Sequence, residues 1–114
     1  MSRSRIRHIA IAVADREKAA EFYKRVFGME EKERGPRGTI YLSDGHVDLA
    51  LIKASNSPKG INHFGFQVNS VKAIERTANT EATPSPAGSG RHAEFWILDV
   101  EGNKVDVSEE GWPI

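Results

Sequence analysis

The segments IRHIAIAV (residues 6–13) and INHFGFQV (residues 61–68) decide the fold, because they describe the same strand twice. Each segment alternates side chains along a largely apolar run, which is typical of a β-strand. Each also carries a histidine at its third position, His8 in the first copy and His63 in the second. The chain is therefore predicted to use one structural unit twice.

Each predicted strand is followed by a predicted helix. Asp15 and Ser70 lie at the same offset as the two histidines, and both are residue types that cap helix amino termini. Gly28 is placed to end the first helix, because glycine adopts left-handed backbone at little cost. Further strands are predicted after each helix, near residues 29–34, 39–43, 47–53, 81, 92–98 and 104–108.

The predicted fold class is α+β. Two βαβββ modules, at about residues 1–57 and 58–114, are expected to form a curved, partly open mixed sheet with the helices on the outside. A chain of 114 residues has the size of one globular domain, and half of it would bury too little surface to be stable alone. Residues 1–114 are therefore expected to form a single domain.

The composition excludes several classes of function. Sixteen basic residues balance sixteen acidic ones, so no overall field favours nucleic acid or an anionic membrane. No apolar run approaches the length of a membrane span, and the amino terminus lacks a secretory signal, so we expect a soluble, cytoplasmic protein. Because the chain contains no cysteine, any metal ion must be held by His, Asp or Glu.

Alternation along the strands places both histidines on faces with small neighbours. His8 shares its face with Ala10 and Ala12, and His63 shares its face with Gly65 and Gln67. In the last strand of each half, the same alternation sets Asp48, Asp106 and Ser108 apart from the bulky apolar residues. An antiparallel sheet with one solvated face would also alternate apolar and polar residues. Small residues around each histidine instead favour the lining of a concave site.

The chain resembles the vicinal oxygen chelate superfamily. The resemblance is carried by the two strands with His8 and His63, and by the segments DREKAAEFYKRVFG (15–28) and DVEGNKVDV (99–107). That superfamily includes glyoxalase I, methylmalonyl-CoA epimerase, extradiol dioxygenases, fosfomycin-resistance enzymes and bleomycin-binding proteins. The resemblance covers nearly the whole chain. It implies a fold strongly and a particular reaction only weakly, because the superfamily hosts many chemistries.

The resemblance implies a divalent metal ion, which could be Zn, Ni, Mn, Co or Fe. It places His8, His63 and Asp106 at the three commonest ligand positions, and Asp48 where four-ligand members have a carboxylate. Both acids are Asp where Glu is usual, and Asp is shorter by one methylene. Because some members share the site between two subunits, a homodimer is also expected.

Three functions follow for a small-molecule substrate. The first is a glyoxalase-like isomerase or lyase, in which Asp48 acts as the base that removes a proton next to a carbonyl. The second is an Fe(II) extradiol-type dioxygenase using only two histidines and one carboxylate. The third is a non-catalytic, bleomycin-resistance-like binding protein. The candidate substrate-binding residues are Gln67, Ser108 and Arg91.

Arg91 ends the segment EATPSPAGSGR (residues 81–91), which contains two prolines and two glycines. Such a segment is typical of a mobile connection, and the alternative is a lid that closes on a ligand. The orientation of Trp96, towards core or cleft, is left open by the sequence. The terminal GWPI is expected to pack in the core, with a cleft or a dimer seam as alternatives.

Overall fold

A computed structural model describes residues 3–55 and 57–114. These residues form two helices and eight strands. In chain order the elements are β1 (Arg5–Val13), α1 (Arg16–Phe27), β2 (Glu30–Arg34), β3 (Ile40–Ser43), β4 (Asp48–Lys53), β5 (Gly60–Gln67), α2 (Val71–Ala78), β6 (Thr83–Pro84), β7 (Phe95–Leu98) and β8 (Lys104–Ser108). Neither of these two helices is long and apolar enough to cross a lipid bilayer.

The chain folds as two compact units. Among the described residues, the N-terminal unit comprises 8–55, 57–62 and 113–114, and the C-terminal unit comprises 3–7 and 63–112. Strand order is β2-β3-β4-β1 in the N-terminal unit and β5-β8-β7-β6 in the C-terminal unit. In each unit the first and last strands of the module pair in parallel, and the other pairs are antiparallel. The predicted α+β fold of two βαβββ modules is confirmed, and the single domain over residues 1–114 stays a prediction.

The predicted helix ends are confirmed. The Asp15 carboxylate accepts a hydrogen bond from the Lys18 amide at 3.0 Å, and Gly28 ends α1 with a φ of 69°. The Ser70 hydroxyl likewise accepts from the amide of Ala73 at 3.1 Å. These contacts satisfy amides that have no partner within the first helical turn.

The start of β7 differs from the sequence prediction. The strand begins at Phe95, although the apolar pattern predicted a start at residue 92. The carbonyl of Ala93 instead accepts a hydrogen bond from the Ser85 hydroxyl at 2.7 Å. A side chain therefore satisfies this part of the backbone in place of a strand partner.

The core of the N-terminal unit lies between α1 and one face of its sheet. Ala20 of α1 packs with three buried aliphatic residues of β3 and β4, namely Ile40, Leu42 and Leu51. Ile11 and Val13 of β1 pack against this cluster, as their alternation predicted. Burial of these side chains is the main contribution to the stability of the unit.

The opposite face of the same strands, where small residues predicted the lining of a concave site, is covered at Ala10 and Ala50. Ala10 and Ala50 are 0% and 2% exposed, and both pack against the ring of Tyr41. Tyr41 pairs with Ala50 across β3 and β4, so its ring extends over the small side chains. The alanines near His8 therefore make room for an aromatic ring.

An aromatic ring also occupies the space beside His63 in the C-terminal unit. Trp112 is 8% exposed, and a Cβ atom added at Gly65 would lie 2.8 Å from its Cη2 atom. The same added atom would lie 3.0 Å from the Cβ atom of Asp106. Gly65 is therefore a requirement of close packing. The expectation that the terminal GWPI packs in the core holds for Trp112.

An ion-pair network joins β2 to α1. Arg34 donates hydrogen bonds to the carboxylates of Glu17 and Glu31, and Lys24 donates to Glu31 at 2.6 Å. Hydrogen bonds from Arg34 and then from Lys24 lower the pKa of Glu31 to about 2. Since the network joins a helix to an edge strand, it supports the packing of α1 on the sheet.

Replacing Glu31 by Gln is expected to lower the free energy of unfolding at pH 7 by less than about 1 kcal/mol, as for other partly exposed ion pairs. The folded-state pKa of Glu31 is depressed, so its contribution is present above the unfolded value of 4.5 and is lost as pH falls towards about 2. Urea unfolding at several pH values measures the difference between wild type and variant. A gap that widens below pH 4.5 contradicts the assignment.

Replacing Gly65 by Ala is expected to lower the free energy of unfolding by about 1–3 kcal/mol, because the added methyl group meets Trp112 and Asp106. Gly35 is the matched control, since its nearest neighbour lies 3.4 Å from an added Cβ atom. Combining Gly65→Ala with Trp112→Leu should cost less than the two single changes added together. An equal decrease in the free energy of unfolding for Gly65→Ala and Gly35→Ala, measured by thermal unfolding, would contradict this packing.

Candidate metal centre

His8 lies against Asp48 inside the N-terminal unit. Parallel pairing of β1 with β4 sets the two residues opposite each other, and Nδ1 of His8 lies 2.7 Å from Oδ2 of Asp48. Both side chains are buried, at 3% and 0% exposure. Because a carboxylate only accepts hydrogen bonds, Nδ1 carries the proton and Nε2 is the atom suited to bind a metal ion.

His63 lies against Asp106 inside the C-terminal unit. Nε2 of His63 is 3.1 Å from Oδ2 of Asp106. Two neighbouring ligands at about 2.1 Å from a transition-metal ion lie about 3 to 3.5 Å from each other, so this spacing fits a pair that shares one ion. Imidazole nitrogen and carboxylate oxygen are also donors that such ions accept when thiolate is absent.

Arg91 binds the same carboxylate. Its Nη2 atom donates to both oxygens of Asp106, at 2.9 and 2.8 Å. The guanidinium therefore compensates the charge of a carboxylate that is 1% exposed. Arg91, which was predicted to bind substrate, here holds a predicted metal ligand in place.

The two aspartates are not at equivalent positions of the two modules. His8 pairs with Asp48, whereas Asp106 pairs with Gly65, two residues beyond His63. By this register, Lys104 corresponds to Asp48, and Ala50 corresponds to Asp106. The similar triplets Val47-Asp48-Leu49 and Val105-Asp106-Val107 are too short to determine the register of these parallel strand pairs.

The other two predicted substrate-binding residues contact the C-terminal turn. Nε2 of Gln67 donates to the carbonyl oxygen of Glu109 at 3.3 Å. The Ser108 hydroxyl donates to Glu94 and accepts from the Gly111 amide at 2.8 Å. Ser108 is 0% exposed, so in this conformation its hydroxyl does not face solvent. Their roles with a substrate stay predictions.

Two residues on the face of Asp106 were not assigned to the site from the sequence. Trp96 pairs with Asp106, which puts the indole on the Asp106 face, and Lys104 lies two residues before Asp106 on the same face. Nζ of Lys104 is 5.1 Å from the centre of the Trp96 ring. Burial lowers the pKa of Lys104, and the charge of Arg91 lowers it further. Alternation along β8 could have placed Lys104 on the Asp106 face from the sequence alone. Placing Trp96 there required the register between β7 and β8.

Comparison with known proteins gives the family. The model of the Glyoxalase/Bleomycin resistance protein/Dioxygenase superfamily matches residues 5–107. A probable trivalent organoarsenical cleaving enzyme of Bacillus subtilis (strain 168) is 28% identical, over 85% of this chain and 74% of its own length.

Solved structures share the fold. The 2,3-dioxygenase LapB from Pseudomonas sp. KL28 matches with a TM-score of 0.76 and 21% identity, over 96% of this chain and 41% of its own. Methylmalonyl-CoA epimerase from Mycobacterium tuberculosis matches with a TM-score of 0.70 and 18% identity, over 90% and 85%. With the family model covering nearly all of its strands and both helices, the chain belongs to the Glyoxalase/Bleomycin resistance protein/Dioxygenase superfamily.

Proposed function

We propose that this protein is a divalent-metal-dependent enzyme acting on a small oxygenated substrate, with His8, His63 and Asp106 as the metal ligands. The observation that carries the proposal is the 2.7 Å contact between Nδ1 of His8 and Oδ2 of Asp48. A buried carboxylate that holds one imidazole nitrogen and directs the other is the usual environment of a metal-binding histidine. The 3.1 Å spacing of His63 and Asp106 gives independent support.

In this proposal Asp48 is a positioning residue. Its Oδ2 atom accepts a hydrogen bond from Nδ1 of His8. The registers of the two parallel strand pairs make Ala50, not Asp48, the counterpart of Asp106. The roles of fourth ligand and general base that the sequence suggested for Asp48 stay predictions and belong to the isomerase or lyase class. Two histidines and one carboxylate leave several coordination positions for substrate oxygens.

A set of two histidines and one carboxylate favours a reaction of the dioxygenase class, in which dioxygen is a substrate. A bound divalent ion with open positions supplies electrostatic stabilisation of neighbouring substrate oxygens. The chain's own contribution is to orient His8 through Asp48 and to hold Asp106 through Arg91. Trp112 over Gly65 closes that part of the sheet face to water. A homodimer, expected from the resemblance, belongs to the same proposal.

The isomerase or lyase class is the second candidate. Its support is the likeness to an epimerase fold and to a relative named as a cleaving enzyme. Cleavage of a trivalent organoarsenical is disfavoured for this chain, which has no cysteine and hence no thiolate to bind the soft, thiophilic arsenic centre. In this class Asp48 keeps its predicted role as the base that removes a proton next to a carbonyl.

Replacing Asp48 by Asn should weaken metal binding about 10- to 100-fold, because an amide holds the His8 ring less firmly. His63→Gln should abolish tight binding by removing a ligand. His46→Gln, at an exposed turn, is the matched control and should bind like wild type. Calorimetric titration with Zn²⁺ and with anaerobic Fe²⁺ measures the affinities. The ligand assignment is overturned if the His63→Gln and His46→Gln variants bind equally well.

Protein loaded with Fe²⁺ under anaerobic conditions is expected to consume dioxygen when catechol is added, and the His63→Gln variant is not. An oxygen electrode and mass spectrometry of the product measure the reaction. Incorporation of solvent deuterium into methylmalonyl-CoA without oxygen uptake would instead establish the isomerase class. Metal retention with neither reaction would favour the non-catalytic binding protein.

A further inference from the structure

The face of the C-terminal unit that carries Asp106 has two cationic side chains, Arg91 and Lys104. Arg91 donates hydrogen bonds to the Asp106 carboxylate. Antiparallel pairing of β7 with β8 brings Trp96 opposite Asp106 and Leu98 opposite Lys104, all on one face. Arg91 reaches the same face through its two contacts with Asp106. The face therefore combines an aromatic ring with two cations beside one carboxylate.

Lys104 has no carboxylate within ion-pair distance in the part of the chain that the structure describes. Asp106 is engaged by Arg91 at 2.8 and 2.9 Å. Glu94, which shares the parity of Trp96, accepts from the Ser108 hydroxyl and from the Glu109 amide at 2.8 Å. The ammonium of Lys104 lies instead 5.1 Å from the centre of the Trp96 ring. It is thus a half-buried cation held by an aromatic face.

We propose that Lys104 and Trp96 form a substrate subsite for a carboxylate attached to a planar, conjugated or aromatic group. The inference rests on the proposed function and names the class of substrate for that site. The ring of Trp96 offers a surface for stacking, and the ammonium beside it pairs with the negative charge.

The subsite offers one cationic donor to an anionic group. Lysine is a compact point charge, and a single ammonium matches one carboxylate, whereas phosphate groups are usually held by several donors at once. Arg91 is committed to Asp106, so it does not add a second donor in this conformation. A divalent ion at the site would add positive charge and further favour an anionic substrate over a neutral one.

The test compares two probes that differ only in a carboxylate, 3,4-dihydroxybenzoate and catechol. Calorimetric binding to the Zn²⁺-loaded protein avoids turnover. Wild type should bind the carboxylated probe about tenfold more tightly, as one charge-assisted contact supplies. Lys104→Met should abolish this preference and leave the affinity for catechol within about twofold, since one partly buried charge is removed. Lys104→Arg should retain the preference, because it keeps the charge.

Lys72→Met, on the exposed side of α2, is the matched control and should leave the preference intact. Trp96→Leu should weaken the binding of both probes, because stacking does not depend on the carboxylate. Circular dichroism and the affinity for Zn²⁺ establish that each variant is folded. Equal affinities of wild type for the two probes, or an unchanged preference in Lys104→Met, overturn the subsite.

The same titrations without metal separate this inference from the proposed function. A preference for 3,4-dihydroxybenzoate that disappears in Lys104→Met, in a protein that binds no Zn²⁺, supports the subsite and rejects the metal enzyme. Zn²⁺ binding that needs His63, without any preference between the probes, supports the metal centre and rejects the subsite.

Discussion

The contact between His8 and Asp48 is the interaction that the candidate site depends on. A buried carboxylate without a donor would be costly, and so would a buried imidazole without an acceptor. Parallel pairing of β1 and β4 reduces both costs by placing the two side chains opposite each other, with Nδ1 of His8 2.7 Å from Oδ2 of Asp48. The same pairing sets the orientation of the imidazole ring. Fold and site are coupled here because one strand register serves both.

The small residues beside each histidine have a packing role that alternation alone did not reveal. In the N-terminal unit, Tyr41 covers Ala10 and Ala50. In the C-terminal unit, Trp112 lies so close to Gly65 that no Cβ atom fits there. Both histidines thus have aromatic residues packed on the small side chains of their own face. Such packing keeps the surroundings of an imidazole dry and strengthens its electrostatic interactions.

The shorter acid at Asp106 is accommodated within its own unit. Asp106 pairs with Gly65 on β5, and its Oδ2 still lies 3.1 Å from Nε2 of His63. Arg91 holds the other side of the carboxylate. The missing methylene therefore does not separate the acid from the histidine. Ala50 takes the corresponding place in the first module, so the two modules do not carry carboxylates at equivalent positions.

The sequence by itself determined the duplicated architecture and the helix caps at Asp15 and Ser70, and it predicted His8, His63 and Asp106 as candidate ligands. These features are local, because periodicity and capping depend on residues a few positions apart. Strand register, the partner of each aspartate and the rings over Ala10 and Gly65 were decided only by the tertiary structure. Each of them depends on residues distant in the chain, such as Asp48 opposite His8 and Trp112 on Gly65. Lys104 is an example of this difference. Alternation along β8 places it on the same face as Asp106, but only the tertiary structure shows that Trp96 lies beside it.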